Sequence, residues 1–284
     1  MWLLQSETVI GVSVNKITDN IRKSQKFLRD TSSVSDIQRY LVNLMPLMEV
    51  RKFTCNMLSE NCYAVSEGGH CVLFDPGFWR EEEREELYSY LSGLGIEPEA
   101  ILLTHGHFDH VFSAKLLQER FGGIPVYMGP ADEAILPDDV QYAASLGIRD
   151  FDPGFKWTPV TDGQVLSFGE PGDEPAFSFK AIATPGHTPG GICWYCEAEQ
   201  MLFSGDTLFA DTIGRTDFPY GSYDDEIRSI MEKVILLPGS TDVFPGHGHP
   251  TTIARERSYN PFLEPFNEPE EVYDEDLPGI EIHR

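Results

Sequence analysis

The stretch from Ile101 to His110 reads "ILLTHGHFDH", an apolar run that ends in three histidines and an aspartate within six residues. Short, continuous and rich in branched side chains, the run reads as a buried strand. In extended chain, positions i and i+2 point the same way, so His105 and His107 converge on one point. Gly106 between them eases the reversal that brings Asp109 and His110 to a neighbouring point. Three core histidines and a carboxylate without a further partner would each leave polar atoms unsatisfied, at roughly 2 kcal/mol or more apiece. Neutral imidazole and carboxylate are ligands that zinc, and after it iron or manganese, readily accept. A metal therefore accounts for the crowding better than a structural cluster does.

Three other segments repeat the build of an apolar strand that hands a ligand-type residue to a glycine-rich loop. They are "AIATPGHTPGG" with His187, "MLFSGDTLF" with Asp206 and "DVFPGHGHPTT" with His247. Any one of them is an ordinary turn, but four together point to one site at sheet edges. His249 is expected to face solvent, and His70 and His283 have no such context.

Short strands and tight turns begin near Met48, with Gly68 and Gly69 between two strand-like runs. An acidic helix is expected over 81–94, others at "VFSAKLLQERF" and "YDDEIRSIMEKVI", and a last one after Thr251. Residues 137–160, rich in Pro, Gly and Asp, read as a loop. Strands that come in meanders and also alternate with helices predict an α/β fold with mixed sheets and helices outside.

"THGHFDH", "TPGHTPGG", "FSGDTLF" and "FPGHG", in this order and spacing, resemble the motifs of metallo-β-lactamase-fold hydrolases over about 48–263. The resemblance implies a four-layer αββα sandwich with two mixed β-sheets. It implies two divalent ions, one held by His105, His107 and His187, the other by Asp109, His110 and His247, with Asp206 bridging. Asp109 and Asp206 become the candidate catalytic carboxylates. "LFDPG" matches an early motif of the family, so Asp75 is either a support behind a ligand or a plain Asp-Pro-Gly turn.

"SGDTLFADTIGRTDFPYGS" and "PGHGHPTTIARERSYNPFL" are most similar to the short bacterial glyoxalase II (hydroxyacylglutathione hydrolase) group. That resemblance implies hydrolysis of thioesters such as S-lactoylglutathione by attack of a metal-bridging hydroxide. Where such enzymes tend to carry Lys-Phe-Tyr, this chain has Arg215, Thr216 and Asp217, and one helix with an acidic tail follows Thr252. Arg215 is a candidate anchor for a substrate carboxylate, with an internal salt bridge to Asp217 as the rival role. The chemistry favours a thioester, because a thiol of pKa roughly 8.5 departs as thiolate without a dedicated acid. The alternatives are hydrolysis of another small ester, or a mononuclear iron persulfide dioxygenase, whose "GRTDF" run resembles Gly214 to Phe218.

Charge narrows the partners. Forty-six acidic against twenty-one basic side chains give a formal charge of -25, which repels nucleic acids and anionic membranes and leaves a small molecule as the expected partner. Residues 1–47 stand apart, with six basic side chains against four acidic, and read as a leader with short amphipathic helices. Residues 264–284 carry eight acids, one arginine and three prolines and read as an extended tail. No signal peptide or long apolar run is evident, and five scattered cysteines suggest no disulfide framework, so a cytoplasmic protein is expected. "CWYC" reads as two ordinary strand cysteines. The sequence carries no signal for oligomeric state.

Overall fold

The computed structural model describes residues 48–266, apart from 171, 173 and 174. The expected leader, 1–47, and all of the expected tail beyond 266 lie outside the described residues.

The first sheet holds β1 (Glu49–Cys55), β2 (Glu60–Glu67), β3 (His70–Phe74), β4 (Ala100–Leu102), β5 (Val126–Met128) and β6 (Thr158–Pro159) in that order. Its first three strands are antiparallel and the pairs from β3 to β6 are parallel. The chain then forms β7 (Val165–Phe168), β8 (Phe177–Ala183), β9 (Ile192–Cys196), β10 (Met201–Gly205), the small ribbon β11 (Leu208–Phe209) and β12 (Thr212–Ile213), β13 (Asp242–Pro245) and β14 (Thr251–Thr252). The second sheet has the order β14-β13-β10-β9-β8-β7, with β10 and β13 parallel and its other pairs antiparallel.

Period-two alternation sorts each strand between two cores. In β3, Cys71 and Leu73 face the helices Glu81–Leu94 and Ala114–Arg120, where they meet Leu87, Leu91 and Leu117. Val72 and Phe74 face the second sheet, where Phe74 stacks on Phe203 with ring centroids 4.0 Å apart. In β9, Trp194 and Cys196 point into that inter-sheet core, while Cys193 and Tyr195 point outward against Ile230, Val234 and Ile253. The three cores separate four layers, the αββα sandwich expected from the motifs. Cys193 and Cys196 thus lie on opposite faces of one strand, and all five cysteines are buried and free.

Local signals explain most boundaries. Three glutamates open the helix Glu81–Leu94 where its dipole favours them, and Gly95 closes it at φ 67° in the left-handed region. The loop expected at 137–160 is a correction: Leu136–Ser145 is a helix. Pro137 sits in the first turn, where it costs no hydrogen bond, Asp138 and Asp139 follow, and Gly147 comes after the end. No helix among the described residues is long and apolar enough to cross a membrane.

The sheets lean together at one end. Trp194 donates its indole hydrogen to the Leu103 carbonyl at 3.0 Å, and the Ile192 amide donates to Thr104 at 2.8 Å. On the other side Tyr63 donates to the Pro245 carbonyl at 2.7 Å. The ends of β4, β8, β10 and β13 therefore open into one place.

Candidate metal centre

Those four strand ends deliver the histidines and aspartates. His105, His107 and His187 bring ligand atoms within 4.8 Å of one another, and so do Asp109, His110 and His247. His187 donates from Nδ1 to the Arg215 carbonyl at 2.7 Å, so its Nε2 lone pair faces His107 Nδ1, 2.9 Å away. His247 donates from Nδ1 to the Leu58 carbonyl at 3.2 Å, which leaves Nε2 toward Asp109 at 3.4 Å. Asp206 lies between the sets: one oxygen is 3.4 Å from His110 Nε2, the other 3.5 Å from His187 Nε2 and 3.6 Å from His247 Nε2. Gly246 is required here, since a Cβ would sit 2.3 Å from Asp206 Oδ1.

Asp75 ties the two halves from behind. Its Oδ1 accepts the Thr104 amide at 2.7 Å, and its Oδ2 accepts the Thr104 hydroxyl at 2.6 Å and His110 Nδ1–H at 3.1 Å. The same hydroxyl oxygen accepts His105 Nδ1–H at 3.0 Å. One carboxylate thereby sets the tautomers of two histidines and turns both Nε2 lone pairs toward the centre. His105 Nε2, His110 Nε2 and Asp206 Oδ1 are all buried and have no hydrogen-bond partner. Orphaned acceptors converging on one point fit a divalent cation and little else. Burial, and then the neighbouring imidazoles, hold His105 well below the usual histidine range and His107 down to about 3, the neutral form that binds metals. Burial works against ionised Asp109, but His110 and His247 hold it below the usual carboxylate range.

A family model described as the metallo-beta-lactamase superfamily matches residues 56–247. The chain belongs to that superfamily. Among its relatives, a probable metallo-hydrolase of Bacillus subtilis is 34% identical over 221 residues, spanning 78% of this chain and 100% of its own length. A hydroxyacylglutathione hydrolase of Haemophilus influenzae is 32% identical over 219 residues, 76% of this chain and 98% of its own. The B3 metallo-β-lactamase BLEG-1 shares the fold with a TM-score of 0.67 at 34% identity, covering 75% of this chain and 99% of that one. A protein crystallised in a di-iron-bound form gives 0.66 at 35%, over 75% and 100%. This member of the metallo-β-lactamase superfamily thus stands among metallo-hydrolases, with His and Asp clusters suited to divalent metals.

Two acidic residues that sequence motifs do not reveal, Asp132 and Glu226, hold the ligand loops of this superfamily member, and a third, Glu60, lies behind His110. Asp132 accepts the Gly106 amide at 2.8 Å, the Thr188 hydroxyl at 2.9 Å and the Gly190 amide at 2.5 Å, so it locks the His105–His107 loop to the His187 loop. Glu226 accepts the His187 amide at 2.8 Å. Burial pushes Asp132 up to about 6 and Glu226 to about 8. Glu60, fully buried, accepts the Cys55 thiol at 2.9 Å and places its other oxygen 3.9 Å from His110 Nδ1. None has a spacing signature: Asp132 stands beside Glu133, Glu226 follows Asp224 and Asp225, and Glu60 shares its strand with Glu67. Only burial within an otherwise apolar run, as for Glu60 before "NCYAV", was available as a signal.

A cavity of about 990 Å³ opens onto the centre. His107, Asp109, His187, Asp206 and His247 reach it, and Arg215 and His249 stand in its lining, His249 exposed and outside both ligand groups. The Arg215 fork is engaged: Nε and Nη2 donate to the two Asp217 oxygens, each at 2.9 Å. This is the salt-bridge arrangement that rivalled the anchor role.

Proposed function

We propose that this chain is a dinuclear metal-dependent hydrolase of thioesters, of which S-lactoylglutathione is an example. The observation that carries the reading is the set of orphaned atoms, His105 Nε2, His110 Nε2 and Asp206 Oδ1, buried between two ligand groups. His105, His107 and His187 would hold one ion and Asp109, His110 and His247 the other, with Asp206 shared. When bound, such ions supply the Lewis acidity that makes water nucleophilic at neutral pH and polarises a carbonyl. The protein's part is orientation. Asp75, through Thr104 and directly, fixes the rings of His105 and His110, and Asp132 and Glu226 fix the loops that carry His107 and His187. The cavity admits a substrate beside them.

Thioester cleavage asks least of these residues, because the leaving thiolate needs no proton, whereas an amine would. The Haemophilus influenzae hydroxyacylglutathione hydrolase supports the same class. Of three overlapping ligand groups, His105, His107 and His187 share no residue with Asp109, His110 and His247, which favours the dinuclear hydrolase over a single-iron dioxygenase. The test is metal content by mass spectrometry on protein purified without added metal, with a thioester panel. Up to two ions per chain, zinc first and iron or manganese as rivals, with thioester turnover, is the expected result. A single iron together with oxygen uptake on a persulfide would overturn it.

A further inference from the structure

We infer that the cavity selects thioesters whose acyl group and thiol carrier are apolar and bear no carboxylate. This rests on the reading of the site as a thioester hydrolase and narrows its substrates to thioesters other than S-lactoylglutathione. The cavity wall is aromatic from the ligands outward. The Phe218 ring centroid lies 5.2 Å from that of His107 and 5.9 Å from that of His187. Tyr142 follows at 6.4 Å from Phe218, and Phe108 at 5.9 Å from Tyr142. Leu58 and Ile135 extend the same lining. A group attached next to a carbonyl at the centre therefore meets rings at once.

The charges of the lining exclude the opposite kind of substrate. Apart from histidines, its basic side chain is Arg215, and the Nε–Nη2 edge of that guanidinium is already on Asp217 while its plane covers Phe218, 4.7 Å from the ring centre. An exposed pair of this kind is weak in itself. A substrate carboxylate would nevertheless have to compete with a tethered one that stays beside the arginine and repels it. The other charged side chains of the lining outside the ligand set are acids. Asp138 accepts the Tyr220 hydroxyl at 2.7 Å, and Asp211 pairs with Arg255 at 2.7 Å. Glutathione, with two carboxylates and one ammonium, meets this acidic rim and an arginine whose forked Nε–Nη2 edge is already occupied by Asp217.

Thioether analogues test the inference by binding alone, since they have no scissile bond. Calorimetry on the zinc-loaded full chain at low ionic strength compares S-hexyl-N-acetylcysteamine, a neutral carrier, with S-hexylglutathione. The neutral ligand is expected to bind about tenfold tighter, and Asp217→Asn, which releases Arg215, to narrow that ratio to about threefold or less. Phe218→Ala and Tyr142→Ala should weaken the neutral ligand by about fivefold or more, in keeping with loss of aromatic contact. S-hexylglutathione binding within about threefold of the neutral ligand, or tighter, would overturn the inference, and so would a ratio that Asp217→Asn leaves unmoved. Failure of the underlying hydrolase reading shows separately, as absence of turnover for the hexanoyl thioesters of both carriers.

Discussion

Asp75 receives three hydrogens, from the Thr104 amide, the Thr104 hydroxyl and His110 Nδ1, while holding a left-handed backbone at φ 46°. Strain of that kind persists where surrounding contacts fix the residue. Asp75→Ala should free both His105 and His110 to take the wrong tautomer and lower metal affinity by roughly 10 to 100-fold, measured by competition with a chelator. Asp206→Ala should lose bound metal and activity together, because its carboxylate faces both ligand groups. His249→Ala should leave metal content near that of the parent protein, since His249 stands exposed outside both groups. Equal loss of metal from His249→Ala and His247→Ala would show that the wrong histidine of "GHGH" has been assigned to the centre.

At the level of elements, what matters is how loops from different strands are held in register. Asp132 satisfies donors of Gly106, Thr188 and Gly190, so Asp132→Ala leaves three donors stranded between the His105 and His187 loops. Roughly 3 kcal/mol of unfolding free energy should be lost, read from urea denaturation. The helix Leu136–Ser145 carries a pH term of its own. Burial, with Asp109 and Asp132 nearby and the Phe108 amide opposing, raises Asp139 from 3.8 to about 7. The folded protein then holds a proton that the unfolded chain releases, so this contribution is complete below pH 3.8 and is lost as pH rises through about 7. Asp139→Asn keeps an oxygen for the Phe108 amide and removes the titration. Its melting temperature relative to the parent should climb across that interval, and a flat difference would refute the assignment. This helix was the element least legible in the sequence, because Pro137 and two aspartates resemble a loop when their place in a first turn is not known. The ligand loops were legible for the opposite reason: polar side chains at the end of an apolar strand have few other uses. Asp132 and Glu226 were not, since each accepts a backbone amide far away in sequence, and Glu60 was not, since its approach to the His110 ring is equally remote although its thiol partner Cys55 is near; local spacing does not encode such partners.

For the molecule as a whole, all seven candidate ligands lie between His105 and His247, and the three cores draw on residues from Met48 to Leu263. Met48 is itself buried in the inter-sheet core beside Val50, so shortening past it would expose apolar surface and shift the start of β1. Residues 1–47 differ in charge from the rest of the chain, with six basic side chains against four acidic in a protein of net -25. The superfamily match begins later still, at residue 56. A chain that starts at Met48 is therefore expected to fold and to retain metal, with a melting temperature within about 4 °C of the full chain, equivalent to roughly 1 kcal/mol for a body of this size. Thioester turnover per bound metal should be retained as well, because the cavity lining among the described residues begins at Leu58. Calorimetry and metal analysis on the two proteins side by side decide the matter. An insoluble or metal-free product would assign the first 47 residues to the core rather than to an appended leader.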